Sequence, residues 1–288
     1  MLAYDVRGRG PGLVLLHGIG STATETWGPV ADRLATEYAV VLPDLPGSGR
    51  TPLPDGRPAL SEVADQVVAA AREAGLDDFV IAGASLGAAV AVRAAARRPD
   101  LVRGLFTLSG FVRPRAALWL HLEMWAARVA RRDPTLDTHL TPLSFSEKYL
   151  SALTEQGARQ QAARFAASAP GVREQIALAL DVDLCGDLPA VTVPTLVVAA
   201  MADRLVDPEH SVELAERIPD ARLTAVGAGH AAAVEEPGRV LEILTEFLRE
   251  VNLRASTPPG HRSTAVRQPA PTPAPRRPSR VPRPRSPR

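Results

Sequence analysis

Ser85, a serine that could act as a nucleophile, lies in the Gly-x-Ser-x-Gly segment at residues 83–87. An apolar run of strand character precedes it, and an alanine-rich helical stretch follows at once. A serine at such a corner stands clear of the sheet, at the positive end of the helix. We expect Gly83 and Gly87 to be required because a β-carbon at either position would collide with the neighbouring strand or helix. The alternative is a small-residue turn that only lets the helix and the strand pack closely.

A serine nucleophile needs a base, and the base needs an acid that orients it. His230 follows the last predicted strand in Gly-Ala-Gly-His, and Asp203 comes shortly after the strand before it. Because the carboxyl ends of parallel strands meet at one edge of a sheet, these residues are expected near Ser85. The rival base is His210, which we expect to be solvated at a helix start, and the rival acid is Asp207.

Short apolar strands alternate with helical stretches along most of the chain. Strands are predicted at residues 2–6, 13–16, 39–42, 79–84, 102–108, 195–200 and 222–226. Helices between and after them are predicted at 27–36, 61–74, 86–98, 211–217 and 239–250, with Ser61 as an N-cap and Gly75 as a stop. This alternation predicts an α/β fold with a mostly parallel central sheet and helices on both faces.

The strand pattern stops between residues 111 and 190. Helical stretches are expected there around 119–129, 146–153, 155–167 and 171–180. We interpret this segment as a helical lid inserted between the two parts of the core, 1–110 and 191–253. The alternative is a separate small helical domain with no substrate contact. Trp119 and Trp125 are candidates for lining a substrate cavity, although such a stripe is also typical of a lid's own core.

The charge is unevenly distributed along the 288 residues, whose formal net charge is +1. Residues 254–288 hold nine arginines and no acidic residue, which leaves 24 basic and 32 acidic residues elsewhere, a balance of −8. An acidic globular part offers no footprint for nucleic acid. The Pro- and Arg-rich tail at 254–288 has too few apolar residues to fold and is predicted to be disordered.

The composition also bears on location. Cys185 is the single cysteine, so no disulfide can form within the chain, which is typical of a reducing compartment. We see no secretory signal, and no apolar run approaches the ~20 residues that span a membrane. The expectation is a cytoplasmic protein that uses no membrane. There is no His-x-x-x-His or cysteine pair, so no metal site is predicted.

Taken together, the motifs resemble the α/β-hydrolase superfamily, in the lidded group of esterases, lactonases and carbon–carbon bond hydrolases. The matching segments span about residues 2–252 and are His17-Gly18-Ile19-Gly20, Asp44-x-x-Gly47-x-Gly49, Gly83-x-Ser85-x-Gly87, Asp203 and Gly229-His230. The chain order serine, acid, histidine is the order of this fold. The resemblance is specific for the superfamily and not for a substrate.

The resemblance implies a serine hydrolase without a cofactor, which cleaves an ester, lactone or other activated carbonyl bond of a small, largely apolar molecule. Ser85 would attack the carbonyl carbon, His230 would act as base and then acid, and Asp203 would orient the imidazole. The backbone N–H groups of Ile19 and Leu86 would form the oxyanion hole.

Two further residues in the matching segments are interpreted as structural. His17 precedes the oxyanion loop and is expected to hold it in place. Asp44 is expected to fix its own turn through bonds to backbone amides.

Other activities fit parts of the same pattern. An acyltransferase or a cyclase could use the same triad, because the fold does not fix the acceptor. A pure small-molecule receptor is disfavoured, since binding needs no acid behind the histidine. Residues 18–23 also fit Gly-x-Gly-x-x-Gly/Ala with Asp44 at the next strand end, as in an NAD(P)-dependent oxidoreductase, but this leaves Ser85, Asp203 and His230 unexplained.

Overall fold

The computed structural model describes residues 1–166 and 170–256. The predicted disordered tail, 254–288, lies outside the described residues except for its first three positions, which continue the last helix.

Seven strands form one sheet in the order β1-β3-β2-β4-β5-β6-β7. Their bounds are β1 Tyr4–Arg7, β2 Gly12–Leu16, β3 Ala39–Pro43, β4 Phe79–Ala84, β5 Val102–Leu108, β6 Thr195–Ala200 and β7 Arg222–Val226. Strand β1 pairs antiparallel with β3, and all the other neighbours are parallel. The predicted mostly parallel sheet is therefore confirmed.

Helices connect most of the strands. They are α1 Ala23–Leu34, α2 Leu60–Glu73, α3 Leu86–Arg97, α4 Ala116–Ala130, α5 Leu136–Ser144, α6 Glu147–Ser151, α7 Glu155–Ala166, α8 Val172–Leu180, α9 Glu209–Arg217, α10 Ala232–Glu235 and α11 Pro237–Ser256. Within the described part of the chain, none of them is both long and apolar enough to cross a bilayer. Helices α4 to α8 follow β5 and precede β6, and we call residues 111–190 the helical insertion.

Alternate strand residues pack against helices on opposite faces of the sheet. Leu13 and Leu15 of β2 join one apolar cluster with α1, α10 and α11, whereas Val14 and Leu16 join the other with α2 and α3. Because both faces are covered, the strands are continuous apolar runs rather than alternating ones. The predicted arrangement of helices on both faces is confirmed.

Several helices begin earlier than the sequence pattern predicts, and α1 and α2 show why. Helix α1 begins at Ala23 because Thr22 and Glu25 form a capping box, in which each side chain accepts a hydrogen bond from the other residue's amide. The prediction of Ser61 as an N-cap is wrong. Helix α2 begins one residue before it, and the amide of Ala59 donates to the Glu62 carboxylate at 3.2 Å.

The last helix also extends beyond its predicted end at residue 250. Val251 is buried against the sheet, and Pro258 is the first proline after the helix start at Pro237. Nothing in the intervening sequence therefore stops the helix before Ser256.

The sheet order places one crevice in the middle of the fold. Strand β3 lies on one side of β2 and β4 on the other, so the connections diverge between β2 and β4. Ligands of open parallel sheets bind at such a switch point, outside the carboxyl ends of the strands. The loop after β2 and the Ser85 turn after β4 both lie there.

The contact at Gly87 gives a test of this close packing. A β-carbon there would lie 2.5 Å from the His17 carbonyl oxygen and 2.7 Å from that of Leu16. We expect Gly87→Ala to lower the free energy of unfolding in urea by about 1–3 kcal/mol, because β2 must move. The matched control is Gly28→Ala in α1, where the nearest atom would be 3.8 Å away. It should leave stability unchanged or raise it by up to about 1 kcal/mol. Equal effects of the two substitutions would contradict the packing described.

Candidate active site

The Ser85 turn has the strained backbone of a strand-to-helix corner. Its φ is 55° and its ψ is −121°, a conformation that side-chain-bearing residues rarely adopt. The Ser85 amide donates to the Leu108 carbonyl at 3.0 Å, and the Ser85 carbonyl accepts from the Ala88 amide at 2.9 Å. These bonds tie the turn to β5 on one side and to the first turn of α3 on the other.

Small residues surround the turn because the backbones approach closely. A β-carbon on Gly83 would lie 2.2 Å from the Gly87 carbonyl oxygen, so the expected steric requirement at both glycines is confirmed. Gly18 faces the turn from the loop after β2, and a β-carbon there would lie 3.0 Å from that of Ser85. The turn therefore rests directly on the loop that is expected to hold an oxyanion donor.

His230 and Asp203 form a hydrogen-bonded pair. The Nδ1 atom of His230 lies 2.7 Å from Oδ2 of Asp203, whose side chain is 1% exposed. The other carboxylate oxygen, Oδ1, accepts from the amides of Leu205 at 2.9 Å and Val206 at 2.8 Å. An ionised carboxylate can only accept a hydrogen bond, so Nδ1 of His230 carries the proton. The Nε2 atom is then free to accept a proton from the serine.

The structure does not bring the two rival residues into this pair. Asp207 lies two residues before α9 and accepts from the Glu209 amide at 2.9 Å. The prediction that His210 is solvated is wrong, since it is 2% exposed and packs edge-on against Phe111. Burial lowers the pKa of His210, which favours the neutral form of a histidine enclosed in the core.

A cavity of about 450 Å³ adjoins Ser85 and His230. Most of its other lining side chains are apolar, and the larger of these are Ile19, Leu108, Phe111, Leu118, Leu122, Trp125, Phe145, Leu205, Val206 and Val234. The polar and charged lining residues are Ser21, Glu25, Thr26, Ser144, Gln161 and Arg164. Within the described residues, no hydrogen bond joins the Ser85 hydroxyl to the His230 ring. Such bonds are often long in ligand-free sites and tighten when substrate binds.

Of the two tryptophans considered as lining residues, only Trp125 reaches the cavity. Leu118, Leu122 and Trp125 are buried at helical spacing on one face of α4. Trp119 follows Leu118 by one residue, a rotation of about 100° around the helix, and is 46% exposed outside the cavity. We therefore leave Trp119 out of the candidate site.

The two candidate oxyanion donors lie on either side of the Ser85 turn. Leu86 is the first residue of α3, so its amide has no acceptor inside the helix. Ile19 lies in the loop after β2 and lines the cavity. Neither amide donates to another group in the described part of the chain, as an oxyanion hole requires.

His17 holds the loop after β2, as the sequence suggested. It is fully buried, and its Nε2 atom accepts from the Leu45 amide at 2.9 Å. The Nδ1–H group must therefore be the donor to the Gly18 carbonyl, 2.7 Å away. Burial lowers the pKa of His17, which keeps the ring neutral and preserves both bonds.

Asp44 fixes its own turn and also caps a helix. Its Oδ2 atom accepts from the Arg50 amide, as expected, and its Oδ1 atom accepts from the Ala23 amide, both at 3.3 Å. Ala23 is the first residue of α1, so a carboxylate of this protein fills the position where a dinucleotide's pyrophosphate would bind. This arrangement disfavours the oxidoreductase interpretation of residues 18–23.

The sequence did not single out Glu235, which connects the His230 loop to the insertion. One carboxylate oxygen accepts from the amides of Gly229 at 3.0 Å and Ser146 at 2.9 Å, and the other accepts from the Ser146 hydroxyl. A β-carbon on Gly229 would lie 2.6 Å from the Ser146 nitrogen. The loop that carries His230 is thus held against the start of α6. Gln175 of α8, also missed, makes a comparable connection to the loops after β2 and β3.

Comparisons with known proteins agree with this geometry. A model described as the alpha/beta hydrolase family matches residues 13–243. Pyrrolizixenacetamide deacetylase from Xenorhabdus hominickii is 31% identical over 250 residues, covering 86% of this chain and 94% of that protein. Pimeloyl-[acyl-carrier protein] methyl ester esterase from Xanthomonas oryzae pv. oryzae is 32% identical over 261 residues, covering 86% and 98%. The solved structure of a thermophilic esterase from Thermogutta terrifontis has a TM-score of 0.76 and 27% identity, covering 87% and 93%.

The choice between the two acids can be tested directly. If Asp203 orients His230, Asp203→Asn should lower kcat for ester hydrolysis by about 10⁴-fold, because an amide at this position favours the wrong imidazole tautomer. Asp207→Asn is the matched control and should leave kcat unchanged. Steady-state kinetics with thermal melts would separate lost chemistry from lost folding. A large loss in the control and none in Asp203→Asn would reverse the assignment.

Proposed function

Because the chain belongs to the alpha/beta hydrolase family, we propose that Ser85, His230 and Asp203 form the catalytic triad of a serine hydrolase. The observation that carries this proposal is the 2.7 Å contact between His230 and Asp203 beside the cavity that Ser85 also lines. The left-handed Ser85 backbone supports the role of nucleophile, since strain of this kind clusters at active sites.

In the first half of the reaction, Ser85 Oγ attacks the substrate carbonyl carbon while His230 Nε2 takes the hydroxyl proton. The carbonyl oxygen becomes an oxyanion, which the amides of Ile19 and Leu86 stabilise. Asp203 stabilises the imidazolium through Nδ1. When the tetrahedral intermediate collapses, the bond to the leaving group breaks, and His230 gives that group its proton. The acyl group is then an ester of Ser85.

In the second half, water replaces the leaving group. His230 Nε2 takes a proton from the water as its oxygen attacks the acyl carbon, and the same two amides hold the new oxyanion. Collapse breaks the bond to Ser85 Oγ, which regains the proton from His230. The products are a carboxylic acid and the free enzyme.

The cavity supports an ester, lactone or other activated carbonyl compound that is small and largely apolar. A volume of about 450 Å³ lies at the lower end of the range for small-molecule sites. The aromatic and aliphatic side chains would bury the hydrocarbon part of the substrate. This burial would stabilise the complex by roughly 25 cal/mol per Å² of apolar surface removed from water.

The position of the insertion supports its role as a lid. Leu118, Leu122 and Trp125 of α4 and Phe145 before α6 line the cavity together with residues of the loops that follow the strands. A separate helical domain without substrate contact would not contribute these side chains. The free thiol of Cys185 supports the proposed cytoplasmic location.

The proposed function can be tested with p-nitrophenyl esters of graded acyl length, assayed beside lactones and thioesters. Ser85→Ala should lower kcat on the order of 10⁶-fold, because no other group replaces the nucleophile. Ser151→Ala, at an exposed serine of the insertion, is the control and should retain full activity. The product should be the free acid. Transfer of the acyl group to an added alcohol in preference to water would favour an acyltransferase, and full activity in Ser85→Ala would contradict the triad.

The pH dependence gives a second test. A histidine base must be neutral to accept the serine proton, so its protonation at low pH abolishes general-base catalysis. We expect kcat/KM to fall as the pH decreases. The measurement is a kcat/KM profile from pH 5 to 9 on one ester. A profile that stays flat to pH 5 would rule out His230 as the base.

A further inference from the structure

The side chain of Gln175 connects α8 of the insertion to two loops of the core. Its Oε1 atom accepts from the Gly20 amide at 2.8 Å. Its Nε2 atom donates to the Pro46 carbonyl at 2.9 Å and to the Ser48 hydroxyl oxygen at 2.8 Å. The residue is 2% exposed, so these three bonds form in the protein interior.

The Gly20 bond matters because of what lies next to it in the chain. Ile19, the candidate oxyanion donor, is flanked by Gly18 and Gly20, and Gly20 has a left-handed φ of 73°. Glycines on both sides leave the backbone of this loop free to adopt many conformations. Fixing the direction of the Ile19 N–H group therefore requires contacts from outside the loop.

Two side chains supply those contacts, one on each side of Ile19. His17 donates to the Gly18 carbonyl, which belongs to the same planar peptide as the Ile19 N–H group. In a trans peptide these two groups point in opposite directions, so holding the oxygen aims the N–H group. Gln175 holds the Gly20 N–H group, which belongs to the next peptide. Together they fix the peptide planes before and after Ile19.

The start of α8 is itself held against the core. The Gly171 amide donates to the Gly47 carbonyl at 2.9 Å, and a β-carbon on Gly171 would lie 2.6 Å from the Gly47 α-carbon. Gln175 lies one turn further along this helix, and its backbone amide donates a hydrogen bond to the Gly171 carbonyl at 3.0 Å. The Gln175 side chain therefore extends from a helix whose first turn is fixed to the core.

We propose that Gln175 is a positioning residue for the oxyanion hole, through which the insertion sets the direction of the Ile19 N–H group. This inference rests on the proposed function, because it assigns Gln175 an effect on the oxyanion rather than on substrate binding. Gln175 does not line the cavity, so it acts through Gly20 and not by touching substrate.

The experiment compares Gln175→Met, which keeps the length of the side chain but removes all three bonds, with Gln160→Met at an exposed position of α7. Deuterium exchange of the segment 18–21 reports on loop order without requiring activity. Ester kinetics give kcat and KM separately. Inhibition by a trifluoromethyl ketone reports on oxyanion stabilisation, since its adduct with serine carries an oxyanion.

In Gln175→Met we expect faster exchange in residues 18–21, kcat lower by about 10- to 100-fold and KM within about twofold of the wild-type value. The inhibition constant of the ketone should rise by the same factor by which kcat falls. Gln160→Met should match the wild type in all three measurements. Ser48→Ala removes one partner of Gln175 and keeps the Gly20 bond. It should change the exchange rate, kcat and the inhibition constant in the same directions as Gln175→Met, but by smaller factors.

Wild-type exchange and wild-type kcat in Gln175→Met would overturn the proposal, as would a rise in KM that accounts for the whole loss of kcat/KM. If Gln175→Met does not fold, unchanged exchange and unchanged kcat in Ser48→Ala would overturn it. Failure of the proposed function would look different. The wild-type enzyme would then hydrolyse no ester and bind no ketone, while the exchange experiment would still report whether Gln175 orders the loop.

Discussion

The left-handed backbone at Ser85 is the constraint on which the rest of the site depends. Such a conformation costs about 1–3 kcal/mol and persists only where the surroundings enforce it. Here β4 and α3 enforce it, because Gly83 and Gly87 let the strand end and the helix start come into contact. Gly87 also packs against the end of β2, so the position of the turn determines where the following loop, with Ile19, can lie.

The insertion and the loops of the core are held together by polar side chains as well as by apolar packing. Gln175 connects α8 to the loops after β2 and β3, and Glu235 connects the loop before His230 to the start of α6. Each side chain makes more than one hydrogen bond with backbone groups that would otherwise be unpaired. Leaving a buried polar group unpaired costs about 1–3 kcal/mol. The wall of the cavity and the candidate catalytic loops therefore form one connected unit at these two points.

Much of the fold could be predicted because its signals are local. The apolar runs of β2, β4 and β6 mark strands buried on both faces, and Gly83-x-Ser85-x-Gly87 marks the corner between a strand and a helix. The pairing of His230 with Asp203 is also within reach of the sequence, because both follow strands that end at the same edge. Helix starts were less predictable, since Thr22 and Ala59 cap their helices through a glutamate three residues ahead.

The remaining features depend on how the insertion folds onto the core, which no local pattern encodes. Gln175 contacts residues more than a hundred positions away, and in sequence it is one of many polar residues on a helix. The burial of His210 and the outward position of Trp119 have the same origin. Each depends on which face of its helix meets a neighbouring element, and a one-residue shift in that face moves a side chain from the interior to the surface.

The central claim is that Ser85, His230 and the two amides converge on one reacting centre, and a crystal structure of the protein inactivated by a fluorophosphonate would test it most directly. The account predicts a phosphorus atom bonded to Ser85 Oγ. One phosphonyl oxygen should then lie within hydrogen-bond distance of the amides of Ile19 and Leu86, with His230 still paired to Asp203. A label on another residue, or a phosphonyl oxygen directed away from both amides, would contradict it.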